Sequence, residues 1–198
     1  TDQFHYQAWK SVANRLGIPF DERINARLRG VSRIESLEIV LAQSVKNYSQ
    51  GEKEQLAEEK NRIYQSFLRK MTPADLEPET SRTLNTLREM NLKLAIGSSS
   101  RNTALILHRL GLDGFFDAVA DGTQIKHSKP DPEVFLLAAS LLGVQPSRAL
   151  VVEDAPAGIQ AAKAGGFLAA GLGDAARESK TDFPISALSD LCLICLAL

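Results

Sequence analysis

From Leu92 to Leu172 the chain alternates short apolar runs with helical segments, and this alternation restricts the fold more than any other feature. LKLAIG (92–97) reads as a short buried strand, and SSRNTALILHRLG follows as a helix ending at Gly111. FFDAVA is a weaker strand. SKPDPEVFLLAASLLG has Asp131 as N-cap, Pro132 at the first helical position and Gly143 as its stop. ALVV (149–152) is a strand, PAGIQAAKAG a helix and GFLAAGL a further strand. Such alternation predicts a Rossmann-like α/β fold, a parallel sheet covered by helices on both faces. Ligands of such sheets collect at the carboxyl ends of the strands.

Upstream the pattern is helical. YSQGEKEQLAEEKNRIYQSFLRK opens with Ser49 and Glu52 in capping-box spacing, and Leu56, Ile63, Tyr64, Phe67 and Leu68 share one helical face. RGVSRIESLEIVLAQ repeats the device with Ser32 and Glu35, and the opening TDQFHYQAWKSVANRLGI is a third helix stopping near Gly17. The chain therefore divides near Asp75–Glu79, into a helical bundle over 1–76 and an α/β unit over 77–198. A length of 198 residues accommodates one core plus a smaller module. With 23 basic and 24 acidic residues the net charge is −1, so no global field attracts nucleic acid or an anionic membrane. No stretch has the length of a membrane span, and the polar N-terminus is no signal peptide. The two cysteines form one CLIC, Cys192 to Cys195, flanked by leucine and isoleucine, and read as apolar core thiols. A cytoplasmic monomer is expected.

Three chemistry-bearing groups fall at strand ends. Glu153-Asp154 ends an apolar run, where two adjacent carboxylates repel and burial penalises each; a bound cation resolves this, and so does a loop that points both into water. GSSS follows the LKLAI run, offering hydroxyls and free amides to a phosphate or an ordinary helix cap. Lys129 precedes a proline and a helix start, as a solvated or a site lysine. Together, a hydroxyl, a lysine and an acid pair are the equipment of Mg²⁺-assisted phosphoryl transfer.

AIGSSSRN, SKPDPEVF and VVEDAPAGI resemble, in order and spacing, the second, third and fourth motifs of the haloacid dehalogenase superfamily of phosphotransferases. HYQAW, LRGVSRIESL and AEEKN resemble the helical cap of its β-phosphoglucomutase-like branch. The resemblance implies that Asp154 ligates Mg²⁺ and that Glu153 completes the metal environment directly or through water. It implies that Ser98 and the Ser99 amide hold the transferring phosphate, with Lys129 neutralising it, and that Ser100 and Asn102 contact the substrate or its second phosphate. Arg33 would grip the non-transferring phosphate. Trp9, Gly30, Val31, Ser32, Lys60 and Asn61 would line the sugar pocket, and His5 would sit near the hinge by the catalytic acid/base. His108 and His127 have no role in this scheme.

One departure is serious. The family's nucleophile and acid/base are the aspartates of an Asp-x-Asp-Gly after the first strand, and no Asp-x-Asp occurs in this chain. Asp121-Gly122 reads as a strand followed by a turn, and Asp75-Leu76-Glu77 belongs to the hinge. The apolar C-terminal LSDLCLICLAL also departs from the family's more polar ending. The expectation is a fragment whose absent first strand would be the central one, so that its neighbours face a gap, or else a decayed homologue. The intact parent would interconvert β-glucose 1-phosphate and glucose 6-phosphate through an aspartyl-phosphate, while the chain alone would be inactive. The alternatives are a sugar-phosphate phosphatase of the same superfamily and a catalytically dead phosphate-binding homologue.

Overall fold

A computed structural model describes residues 1–197. Four helices, α1 (Asp2–Arg15), α2 (Glu22–Ala26), α3 (Arg33–Leu41) and α4 (Gln50–Leu68), occupy the first third of the chain. Both capping boxes form: the Ser32 and Ser49 hydroxyls accept from the Glu35 and Glu52 amides, and those carboxylates accept the serine amides at 2.9 and 2.8 Å. Each satisfies two otherwise orphaned donors. Trp9, Val12 and Ala13 of α1 pack with Leu37, Val40 and Leu41 of α3 and with Leu56 and Ala57 of α4. A second cluster, Ala8, Tyr64, Leu68 and Met71, reaches Leu105, Ile106 and Leu110 in the helix after the first strand and joins the two parts of the chain.

The remaining α-helices and strands of the described residues are α5 (Pro78–Glu89), β1 (Ala95–Gly97), α6 (Thr103–Arg109), β2 (Ala118–Ala120), α7 (Glu133–Leu142), β3 (Leu150–Glu153), α8 (Pro156–Ala164), β4 (Leu168–Leu172), β5 (Phe183–Ile185) and α9 (Asp190–Ala197). Every strand pairing is parallel, as the alternation requires. The pairing is divided between a β1–β2 sheet and a β3–β4–β5 sheet, and β1 does not pair with β3. A common core nevertheless joins the sheets: Ala120, Val134, Phe135, Ala138 and Ala139 cluster with Val151, Ile159 and Phe167. Helix α7 packs on β1 and β2, and α8 packs on β3 and β4.

Three local expectations are corrected. The strand expected over 92–97 is confined to Ala95–Gly97, because residues before it terminate α5: Asn91 adopts φ +59° and the Leu92 amide returns to Leu87 O. Helix α7 begins one residue later than expected, with Pro132 at the N-cap; its carbonyl accepts from Phe135 and Leu136, while the Asp131 carboxylate takes the Glu133 amide at 2.9 Å. The cysteines are half-buried at the rim of a cluster around Leu87, Ala170, Ile185 and Leu191 rather than central to it. Among the described residues no helix is long and apolar enough to cross a membrane.

Candidate active site

The carboxyl ends of β1 and β3 open into a cavity of about 380 Å³ between the helical and α/β parts. At the end of β1 the Ser98 amide continues the ladder to Ala120 O at 3.0 Å, and the Ser98 hydroxyl accepts the Ser100 amide at 3.1 Å. That leaves the hydroxyl proton free to donate, and the Ser99 amide has no partner among the described residues. Ser100 accepts the Asn102 amide through its hydroxyl, and the Ser99 hydroxyl donates to Gly30 O across the cavity at 3.1 Å.

Lys129 ties the two sheets together. Its ammonium donates to Gly97 O at the end of β1, at 3.1 Å, and to the Glu153 carboxylate at the end of β3. It also lies 4.5 Å from the centroid of the Phe135 ring. Two glycines make room for this arrangement. A Cβ at Gly97 would meet the Phe135 ring at 2.8 Å, and one at Gly158 would collide with the Glu153 carboxylate.

The adjacent acids have different surroundings. Glu153 is buried against Lys129, whereas Asp154 is exposed and its carboxylate has no hydrogen-bond partner among the described residues. Lys129 thus relieves the repulsion expected from the sequence. The unpartnered Asp154 carboxylate beside a second acid and serine hydroxyls is a hard oxygen donor set, and it fits Mg²⁺, which uses few carboxylates and retains waters.

From the helical part, α1 contributes His5 and Trp9, the segment before α3 contributes Gly30 and Val31, α3 contributes Arg33, and α4 contributes Lys60 and Asn61. Gly30 adopts φ +80°, a backbone conformation that favours glycine, although a Cβ there would make only ordinary contact with Ala157 at 3.4 Å. Lys60 is buried without a carboxylate partner among the described residues; its ammonium lies 2.7 Å from His5 Nδ1 and near the faces of Trp9 and Tyr64. Burial, reinforced by Arg33, lowers the Lys60 pKa to about 7. Burial, then Lys60, lowers that of His5 to about 2, so the ring is neutral and Nδ1 can accept from Lys60. Arg33 makes one long contact, 3.5 Å to Glu58, and burial and then Arg101 push its guanidinium down from its ordinary value against the opposing pull of Glu58. Buried Asn61 accepts from Asn102 at 3.0 Å, and Asn102 accepts from Gln65 at 2.9 Å, linking α4 to the start of α6.

Ser32 does not line the cavity. Its hydroxyl accepts the Glu35 amide and so caps α3, and its own amide donates to Glu35 and to Ser128. Conversely, Arg29, Ser36 and Arg101 line the cavity without having been singled out from the sequence. Ser36 is one turn beyond Arg33, and Arg101 sits between Ser100 and Asn102, so spacing was an available signal for both. Arg29 bridges Asp2 at 2.8 Å and Asp174 at 3.1 Å, partners too distant in sequence to be read locally.

A family model described as haloacid dehalogenase-like hydrolase matches residues 1–166. The chain is 42% identical over 195 residues to a β-phosphoglucomutase of Bacillus subtilis (strain 168), covering 98% of this chain and 86% of that protein. It is 32% identical over 170 residues to a phosphorylated carbohydrates phosphatase of Thermotoga maritima, covering 84% of this chain and 76% of the relative. Among solved structures, a β-phosphoglucomutase from Clostridium difficile superposes with a TM-score of 0.91 at 34% identity, covering 99% of this chain and 89% of that one.

Proposed function

The chain belongs to the haloacid dehalogenase-like hydrolase family, and on that premise we propose that it carries the phosphate, metal and sugar-binding groups of a β-phosphoglucomutase-type phosphotransferase. In this reading the aspartate nucleophile and acid/base come from a segment that these 198 residues do not include, since they contain no Asp-x-Asp. Residues 1–76 act as a cap over the core at 77–198. The observation that carries the reading is one cavity lined both by Lys129 with Ser98 and Asp154 and by Arg33 with Arg101. A sugar bisphosphate needs two such cationic regions, and a simple monophosphate needs only one.

Ser98 donates its hydroxyl and Ser99 its amide to the transferring phosphoryl group, and Lys129 offsets the charge that develops there. Mg²⁺, held by Asp154 with Glu153 contributing directly or through water, would supply further charge neutralisation at that group. Arg33, with Ser100 and Asn102, holds the second phosphate. Trp9, Gly30, Val31, Lys60 and Asn61 enclose the sugar, and His5 stands beside the acid/base. Transfer to the sugar phosphate, reorientation of the bisphosphate and return of a phosphoryl group convert β-glucose 1-phosphate to glucose 6-phosphate.

The relatives named as phosphatases favour a second reading, a sugar-phosphate phosphatase in which water accepts the phosphoryl group. The absence of Asp-x-Asp keeps a third, a phosphate-binding homologue without catalysis. Product analysis separates them. The 198-residue chain, verified by mass, should give neither isomerised sugar phosphate nor free phosphate. With an Asp-x-Asp-Gly segment joined before Thr1, glucose 6-phosphate should exceed free phosphate. There Asp154→Ala should abolish metal-dependent turnover, and Glu153→Ala should weaken metal affinity less severely. Free phosphate as the sole product supports the phosphatase, and no product supports the binding homologue.

A further inference from the structure

The loop between β2 and α7 has two faces. Lys129 points to the cavity, and Ser128 bonds to Glu35 and to the Ser32 amide in the helical part. His127, Asp131 and Glu133 gather elsewhere on the loop, each offering a ligand atom within 4.8 Å of the others. Backbone bonds hold the group in place. The Glu133 carboxylate accepts the Lys126 and His127 amides at 3.1 and 2.8 Å, and the Asp131 carboxylate accepts the Glu133 amide at 2.9 Å. The same bonds hold the Glu133 carboxyl below its ordinary pKa, so it is ionised at neutral pH.

We propose that His127, Asp131 and Glu133 form a surface site for a borderline divalent cation, Zn²⁺ or its analogue Co²⁺, separate from the oxygen donors Glu153 and Asp154. The ligand types decide the metal class. An imidazole beside two carboxylates suits Zn²⁺ or Co²⁺, whereas Mg²⁺ takes oxygen ligands. The spacing of His127 and Glu133 is compatible with this. Zn–N and Zn–O bonds of about 2.0–2.2 Å in a tetrahedron put ligand atoms roughly 3.3–3.5 Å apart. His127 Nδ1 and Glu133 Oε2 are 3.1 Å apart, so only a slight separation admits an ion between them. The side chain of His127 is 68% exposed, which leaves the approach open and a coordination position for water. An ion here closes a ring from His127 to Glu133 around the segment that carries Ser128 and Lys129. Occupancy therefore stiffens the loop that presents Lys129 to the cavity.

The 198-residue chain suffices for the test, by calorimetric titration with Zn²⁺ in millimolar Mg²⁺, which fills the oxygen site. One Zn²⁺ per chain is expected. Losing an outer partner of a metal site costs about 10–100-fold in affinity, so His127→Ala and Asp131→Asn should each weaken binding at least about tenfold. Asp154→Ala and the double variant Cys192→Ser/Cys195→Ser should bind as the parent does. Co²⁺ should give visible d–d absorption, without a thiolate charge-transfer band, that disappears in His127→Ala. Because His127 is exposed, that variant should melt like the parent without metal, separating lost binding from lost folding. Absence of binding, binding that survives His127→Ala, or binding lost with Asp154 or the cysteines would each overturn the proposal.

Discussion

Lys129 and Glu153 form an ion pair across the two sheets, with side chains only 7% and 9% exposed. The pair explains how an acid can end a buried strand beside another acid. Glu153 is answered from within the protein, which leaves Asp154 as the carboxylate free to meet a cation. The ammonium also holds Gly97 O, so one side chain fixes the relative position of two strand ends that share no ladder.

Removing one partner should therefore cost more than removing both. A buried charge left alone typically costs about 3–5 kcal/mol, while replacing a whole buried pair by apolar groups is often close to neutral. Lys129→Met and Glu153→Leu should each lower urea-unfolding stability by about that amount, and the double variant should lose clearly less than the sum. Additive losses would show that the pair is not energetically coupled.

Gly158→Ala tests the room that Glu153 requires. Glycine within α8 is unfavourable by about 1 kcal/mol relative to alanine, so an unobstructed helix would gain from the change. Here the added Cβ would collide with the Glu153 carboxylate. Overpacking of this kind costs roughly 1–3 kcal/mol, and a net loss of stability is expected. The variant should regain part of that loss on a Glu153→Ala background. A stabilised Gly158→Ala protein would refute the packing argument.

The His5–Lys60 contact should appear in the pH dependence of stability. The pKa of His5 is lowered from its ordinary value of 6.5 to about 2, chiefly by burial. Between those values the unfolded chain binds a proton that the folded chain does not. Stability conferred by neutral His5 is thus present above pH 6.5 and is lost as pH falls, by up to about 1.4 kcal/mol per pH unit. In His5→Asn the amide oxygen can still accept from Lys60, but nothing titrates. The acid limb of this variant should be shallower than that of the parent between pH 6.5 and 4. Parallel curves would mean that His5 takes up its proton without unfolding the chain.

What could be read from the sequence was local or periodic. Ser32–Glu35 and Ser49–Glu52 mark helix starts because a capping box closes within one turn. Helix α5 escaped notice because it buries only Thr83 and Leu87, too little to make a face. Helix α9 has the opposite problem, since its almost unbroken apolar run gives no periodicity. Strand β5 contains Pro184, tolerable because β5 pairs only with β4 and so lies at a sheet edge. Of the proposed site residues, Ser98 and Glu153 fall at ends of apolar runs and Lys129 just before a helix start, but the Lys129–Glu153 contact joins residues 24 apart in different structural units. Neither spacing nor propensity reports such a contact. The cluster of His127 with Glu133 was hidden for a similar reason: a turn, not a regular element, brings them together.

Substitution of Arg33 tests the mutase reading against the phosphatase reading. Its side chain is 22% exposed and, among the described residues, bonds only to Glu58, at 3.5 Å, so its guanidinium keeps donors for an anion. Arg101 is close enough to disfavour its charge, a repulsion that a bound phosphate would reverse. A guanidinium can make two parallel bonds to a phosphate, which an ammonium cannot match. Hydrogen bonds to charged groups contribute roughly 1.5–3 kcal/mol each, so losing two costs about 3 kcal/mol or more. That corresponds to at least about a hundredfold in rate. In the chain with the Asp-x-Asp-Gly segment supplied, Arg33→Ala should cut mutase turnover at least that far. Hydrolysis of a small monophosphate, which in the proposed reading uses Ser98, Lys129 and Asp154 but no second phosphate site, should fall much less. Arg33→Lys should restore charge without the paired geometry and recover only part of the loss. Equal losses in both reactions, or no loss in either, would reject the second-phosphate role of Arg33 and favour the phosphatase.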